Sequence, residues 1–256
     1  MCLLLIAVRS HPVYKLIIAA NRDEYYERPT APASFWNDAP DLLAGRDLRA
    51  GGTWFGVTKK GRIAAITNYR DPSSIKSAAP SRGGLVTGFL SSDQDPVDYL
   101  LELDQKAGAY NGFNLVVGDK DRLYWYSNRG DTYQPLFKGI HGLSNHLLDT
   151  PWHKVSRGRT ELTKVISDHR DPSPNKLFRL LTDRTRPEDN RLPDTGVGLI
   201  RERMLSPIFI ISPDYGTRSS ALLFIDRSDH LTFLERTYPA GRDRLRDVRY
   251  EFEIKG

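Results

Sequence analysis

Runs of consecutive apolar residues stand near both ends of the chain, and short polar segments separate them. Two runs open the sequence at residues 3–8 and 16–20, with Pro12 in the segment between them. This pattern predicts a β-hairpin of two buried strands. A second hairpin is predicted at residues 51–58 and 62–67, with its turn at Lys60-Gly61. Further strands are predicted at residues 113–117, 123–127, 139–143, 207–211, 219–225 and 230–236.

Helical spacing of apolar residues is confined to the middle of the chain. Residues 96–105 follow Asp95-Pro96, and residues 151–181 repeat apolar positions about every fourth residue. Residues 81–90 predict a short helix or loop, and the charged residues 182–195 an exposed loop. Strands are predicted first and last along the chain, with helices between them. This order argues against a doubly wound parallel sheet, in which strands and helices alternate throughout. We therefore expect an α+β fold, a four-layer αββα sandwich of two stacked antiparallel sheets, in a single domain covering residues 1–256.

The composition narrows the classes of partner. The net charge is +5, but the 37 Lys and Arg residues are scattered among 32 acidic ones, so we expect no nucleic-acid binding and only weak attraction to anionic small molecules. The single cysteine allows neither an intramolecular disulfide nor a Cys-rich metal site. No segment approaches the roughly 20 apolar residues of a membrane helix. The expected location is cytoplasmic, without stable membrane insertion; the oligomeric state is left open.

Cys2 directly follows the initiator methionine. Removal of Met1 would place a thiol and an α-amine on one residue, with reference pKa values of about 8.5 and about 8. The amine could then accept the thiol proton while the sulfur attacks a substrate. The alternative is that Cys2 is a small buried hydrophobic residue at the start of a strand.

A polar segment, Asn21-Arg22-Asp23-Glu24, ends the second apolar strand. In an antiparallel hairpin the end of the second strand lies beside the beginning of the first. Arg22 and Asp23 are therefore expected near Cys2, where the guanidinium favours the thiolate and the carboxylate can hold the amine. A solvated turn is the alternative.

Two asparagines end predicted strands, Asn68 after residues 64–67 and Asn145 after residues 141–144. Acyl transfer requires hydrogen-bond donors for the developing oxyanion, and an asparagine amide can supply one. Each asparagine could also be a simple turn residue.

Several motifs, taken together, resemble one known family. They are Met1-Cys2, Asn21-Arg-Asp-Glu24, Ala44-Gly-Arg-Asp47 with Gly51-Gly-Thr-Trp54, Thr67-Asn68, Gly142-Leu-Ser-Asn145 with Thr150-Pro-Trp152, and Tyr215-Gly-Thr-Arg218. These motifs, in this order, are similar to those of the NRDE family, also called the transport and Golgi organisation 2 family. The resemblance implies an N-terminal-nucleophile (Ntn) type αββα fold, and links to haem trafficking and to lipid or acyl-CoA metabolism.

A more distant likeness, to cysteine acylases of the bile-salt hydrolase and penicillin V acylase type, implies roles for individual residues. By that likeness Cys2 is the nucleophile, Arg22 and Asp23 tune it, and Asn68 and Asn145 form the oxyanion group. Arg218 is a further site residue. Those acylases separate the arginine and aspartate, whereas here the two are adjacent and should point to opposite faces of the strand.

Two functions, besides an inactive scaffold, remain open from the sequence. The first is a hydrolase of amide or acyl (thio)ester bonds that uses Cys2 and needs no cofactor or metal. The second is a non-catalytic carrier of haem or a lipid thioester, since a cysteine thiolate can be an axial haem ligand. His141, His146 and His153 flank Asn145 and could contribute to such a site. In either case the partner is a small molecule, and residues 71–84 and 182–195 are expected to set its identity.

Overall fold

The computed structural model describes residues 2–167, 172–238 and 245–255. Its first sheet has six antiparallel strands and contains both ends of the described chain. In spatial order the strands are β10 (Gly139–Leu143), β1 (Cys2–Val8), β2 (Tyr14–Tyr25), β11 (Tyr215–Asp226), β12 (His230–Thr237) and β13 (Arg246–Glu253). The amino-terminal strand therefore lies inside the sheet, hydrogen-bonded on both sides.

The second sheet is built from the central part of the chain and is a meander of sequential antiparallel strands. Its strands are β3 (Thr30–Trp36), β4 (Ala39–Asp47), β5 (Phe55–Thr58), β6 (Ile63–Asn68), β7 (Phe113–Gly118), β8 (Leu123–Ser127) and β9 (Gln134–Pro135). The helices are α1 (Gly83–Leu90), α2 (Pro96–Asp104), α3 (His153–Ser167), α4 (Pro174–Leu181) and α5 (Leu199–Leu205). No helix in the described ranges is both long and apolar enough to cross a membrane.

Strand alternation distributes the apolar side chains among three cores. In β1 the even-numbered residues, such as Leu4 and Ile6, face the second sheet, and the odd-numbered ones, such as Leu3 and Leu5, face α3 and α4. The outer face of the second sheet packs on α1 and α2. The layers therefore run helix, sheet, sheet, helix, which confirms the predicted αββα sandwich.

The structure differs from the sequence prediction at several elements. Residues 207–211 were expected to form a strand, and this is wrong: the segment has only an isolated bridge between Ile211 and Gly216. Its amides bond elsewhere, since Phe209 N donates to Asp183 O and Ile210 N to Thr217 Oγ1. The sequence analysis also missed β3, β4, β9, β13 and α5. Exposed positions interrupt the apolar residues of β3, β13 and α5, whereas β4 has a buried run of only four residues and β9 is two exposed residues long. Part of the predicted helical region 151–181 lies outside the described residues.

Candidate active site

Cys2 begins β1 at the open end of the two stacked sheets. It lies directly opposite Arg22 in the β1–β2 pairing, and its carbonyl accepts a hydrogen bond from Ser144 Oγ at 3.1 Å. The residue as a whole is partly exposed and lines a cleft of about 330 Å³. The only cysteine of the chain is thus held by strands on both sides and is accessible from a cavity.

Arg22 and Asp23 are adjacent, and strand alternation points them to opposite faces of the first sheet. Both nevertheless line the cleft with Cys2. Arg22 faces the second sheet: its guanidinium stacks on the Trp54 ring at 4.1 Å and donates to Thr30 Oγ1 at 3.0 Å. The arginine is 5% exposed, so Trp54 and Thr30 hold it in one position beside the thiol.

Asp23 faces the helical layer and is 1% exposed. Its carboxylate accepts a hydrogen bond from Thr217 Oγ1 at 2.7 Å. Burial raises its pKa, and the charge of Lys154 is the largest influence that opposes this rise, ahead of the amino terminus and the Thr217 hydrogen bond. The thiol is therefore flanked by a cation on one face of the sheet and a carboxylate on the other.

The ionisation of Cys2 follows from these surroundings. Burial raises the pKa of the thiol and the charge of Asp23 raises it further, whereas the amino terminus and Arg22 lower it. On balance the pKa of the thiol is raised, which favours the neutral thiol. A nucleophile at this position therefore needs a base that removes its proton.

The two asparagines take different positions. Asn68 ends β6 and lines the cleft. Asn145 is fully buried behind it; its Nδ2 donates to the Asn68 carbonyl at 2.9 Å, and its Oδ1 accepts from Ser144 Oγ at 3.2 Å. Asn145 thus connects the ends of β6 and β10, and Asn68 is the asparagine that lines the cleft.

Arg218 lies at a register shift of β11, between Thr217 and Ser219. Its Nη1 donates to the carbonyls of Tyr25, Tyr26 and Arg28, at 2.8, 3.2 and 3.1 Å. It lies outside the lining of the cleft and holds the connection between β2 and β3. Its role as a site residue stays a prediction.

Lys154, in the first turn of α3, was missed by the sequence analysis. It is 2% exposed, and its Nζ has no hydrogen-bond partner among the described residues. Burial lowers its pKa to about 8, while the charges of Asp23 and Cys2 act in the opposite direction. Helical spacing could have identified it, because Lys154 stands four residues before the buried Gly158 and eight before Leu162.

The three histidines near Asn145 are engaged differently. His141 contacts Asp149 through Nδ1 and the Phe137 carbonyl through Nε2, and His146 Nδ1 contacts Thr150 Oγ1. Burial lowers the pKa of His153. Within the described residues, no group of three or more His, Cys, Asp or Glu side chains is arranged to hold a metal ion.

Comparison with solved structures supports the fold. Two crystal structures of conjugated bile acid hydrolase variants from Clostridium perfringens superimpose with TM-scores of 0.53 and 0.51, at 8% and 9% sequence identity. The first match covers 100% of this chain and 97% of that one, and the second 99% and 98%. At such identities the likeness concerns the fold, which is that of Ntn hydrolases.

Sequence comparison identifies closer relatives. The chain is 35% identical to the Transport and Golgi organization protein 2 homolog of Bos taurus, over 100% of both chains. It is 36% identical to the Homo sapiens protein of the same name, over 93% of both. The family model described as "Transport and Golgi organisation 2" matches residues 1–240. The chain therefore belongs to the Transport and Golgi organisation 2 family.

Proposed function

We propose that the protein is an Ntn-type cysteine hydrolase that cleaves an amide or acyl (thio)ester bond with Cys2 as nucleophile. The observation that carries this proposal is the position of Cys2: the chain's single cysteine opens onto the cleft, with Arg22 on one side and Asp23 on the other. The fold shared with the bile acid hydrolases is consistent with it.

The mechanism depends on removal of Met1. The raised pKa of the thiol in its buried setting argues against a preformed thiolate. The α-amine released on Cys2 takes the thiol proton as the sulfur attacks the substrate carbonyl carbon. The Asp23 carboxyl group holds the resulting ammonium, whose positive charge favours the carboxylate form, and Arg22 compensates developing negative charge on the sulfur.

The tetrahedral intermediate then collapses. Asn68 donates to its oxyanion from the cleft wall, and Asn145 positions Asn68 through the bond to its carbonyl. The leaving amine or thiol departs with the proton carried by the ammonium, which leaves a thioester on Cys2. Water attacks this thioester with the amine again acting as base, releasing the acid and restoring the thiol.

Alkylation of the thiol tests the proposal, because one cysteine makes the assignment unambiguous. Intact mass first establishes whether Met1 is absent. The iodoacetamide rate at pH 7 is then compared between the processed protein and a chain with one alanine inserted before Cys2, which blocks the free amine. We expect the processed form to react at least about tenfold faster.

Turnover is measured on a panel of acyl amides and acyl thioesters, with Cys2→Ala as the inactive control. Equal, slow alkylation of both forms, or retention of Met1, would refute the hydrolase. A protein that binds acyl compounds or haem without turnover would instead support the carrier function.

A further inference from the structure

A second cavity adjoins the active-site cleft. It has a volume of about 400 Å³ and shares Asn68, Arg82 and Asn111 with the cleft that contains Cys2. Beyond these three residues its walls combine apolar side chains, such as Tyr69 and Ile75, with the charged residues Arg70, Asp71 and Arg201. The two cavities adjoin at these shared residues, and Arg82 stands at the junction.

The carboxylates that line the cleft already face cations. Asp47 Oδ2 contacts Arg28 at 2.6 and 3.0 Å. Glu24 Oε2 lies 3.9 Å from Arg28 and 4.0 Å from Arg22. The third carboxylate, Asp23, has Lys154 as its largest stabilising charge.

Among the arginines that line the cleft, Arg82 is the one that takes no part in this pairing. Its Nη1 donates to the Gly112 carbonyl at 2.8 Å, and it makes no salt bridge with any described carboxylate. Guanidinium carries five N–H donors and keeps its charge in proteins, so the bond to Gly112 leaves Arg82 with donors for a ligand in the cavities that it lines. Burial lowers the pKa of Arg82, while the charges of Glu24 and Cys2 raise it, which places both groups within electrostatic range.

We propose that Arg82 is a specificity-determining residue that binds an oxyanion, carboxylate or phosphate, of the substrate. This rests on the proposed function, because the substrate's scissile carbonyl must reach Cys2 at the same time. The apolar part of the substrate packs against Tyr69 and Ile75 in the second cavity. The substrate class is therefore an acyl compound with an acidic group close to the bond that is cleaved.

Two alkylating reagents of nearly equal size test this role. Iodoacetate carries a carboxylate and iodoacetamide does not, and both react with the same thiol. Any change in the ionisation of Cys2 affects both rates equally, so their ratio isolates recognition of the anion. We expect the iodoacetate to iodoacetamide ratio to exceed that of N-acetylcysteine, and to fall about tenfold in Arg82→Gln.

The control is Arg179→Gln, which removes an exposed arginine from α4, and it should leave the ratio unchanged. Arg82→Lys keeps the charge and should retain most of the preference. Circular dichroism verifies that each variant is folded. An unchanged ratio in folded Arg82→Gln would overturn the proposal.

Protection against iodoacetamide distinguishes the two oxyanions. Butyrate and butyl phosphate are compared in the wild type, and the better protectant identifies the acid; Arg82→Gln should abolish its effect. Protection by neither would also overturn the proposal. The ratio is also measured at pH 9, where hydroxide ionises more of the thiol than at pH 7 and the reaction depends less on the α-amine as base. Loss of the hydrolase function and loss of anion recognition therefore remain separable.

Discussion

The ionisation of Lys154 depends strongly on its surroundings. Its ammonium is buried with no hydrogen bond among the described residues, and four charged or ionisable groups from other elements act on it: Asp23, Arg70, Cys2 and Glu202. Burying an ammonium is costly unless an opposite charge compensates it. Asp23 supplies that charge, so Lys154 and Asp23 stabilise each other's ionised forms at the base of the site.

The first prediction concerns the pH dependence of stability. The pKa of Lys154 is about 8 in the folded protein and 10.5 in its ordinary state. Between these pH values the unfolded chain holds a proton that the folded protein has lost, so this residue makes stability rise with pH. Relative to Lys154→Met, the wild type should gain about 3 kcal/mol of unfolding free energy between pH 8 and pH 10.5.

Urea unfolding at the two pH values measures this difference. The matched variant is Lys164→Met, which removes an exposed lysine from the same helix and should preserve the pH-dependent gain. A parallel pH dependence in wild type and Lys154→Met would show that the ammonium is not destabilised by burial.

At the scale of elements, close contact of glycines fixes the start of α1 against the cleft wall. A Cβ on Gly52 would lie 2.6 Å from the backbone carbon of Gly83 and 2.8 Å from its oxygen. Thr53, Trp54, Arg82 and Gly83 all line the cleft. The close contact between the Gly52 and Gly83 backbones therefore sets the distance between Trp54, on which Arg22 stacks, and the segment that contains Arg82.

Gly52→Ala should push the start of α1 away from residues 53–54. We expect a loss of about 1–3 kcal/mol of stability from overpacking against rigid backbone, together with a changed iodoacetate to iodoacetamide ratio. Thermal unfolding and the alkylation assay measure the two effects.

Gly84→Ala is the control, because a Cβ there meets nothing within 4 Å and alanine favours the helix. It should be neutral or stabilising by up to about 1 kcal/mol. If Gly52→Ala behaves like Gly84→Ala, the close contact does not determine the cleft.

At the scale of the whole molecule, one buried carboxylate links the two sheets. Glu235 of β12 is 2% exposed and accepts a hydrogen bond from the amide of Ala33, in β3, at 2.7 Å. Burial raises its pKa, while the Ala33 amide and Ser219 lower it. The net rise means that ionised Glu235 destabilises the stacked sheets.

A group with a raised carboxyl pKa binds its proton more tightly in the folded state. Stability from Glu235 is therefore full below pH 4.5 and is lost as the pH rises through the folded pKa. Glutamine keeps an oxygen for the Ala33 amide and never ionises. At pH 8, Glu235→Gln should thus have a higher free energy of unfolding than the wild type. At pH 4.5 the difference between the two proteins should be smaller.

Urea unfolding at the two pH values provides the measurement, with the exposed Glu253→Gln as the control that should show no such difference. A wild type that is more stable than Glu235→Gln at pH 8 would contradict the assignment.

The sequence by itself determined the elements whose signals are local. Continuous apolar runs predicted β1 and β2, and antiparallel pairing then placed Cys2 beside Arg22, as the register shows. The position of a residue within a hairpin depends only on the chain between its strands. The same reasoning could not identify β3 or β13, because their exposed faces interrupt the apolar pattern, or β4, whose buried run is only four residues long.

Only the tertiary structure decided which distant residues share the site. Lys154 and Thr217 reach Asp23 across sequence separations of more than a hundred residues, and Arg82 reaches the cleft through the contact of α1 with residues 52–53. Asn68 and Asn145 resembled each other as strand ends, yet one lines the cavity and the other supports it from behind. Burial and charge at these positions depend on how the layers stack, and no local pattern along the chain encodes that stacking.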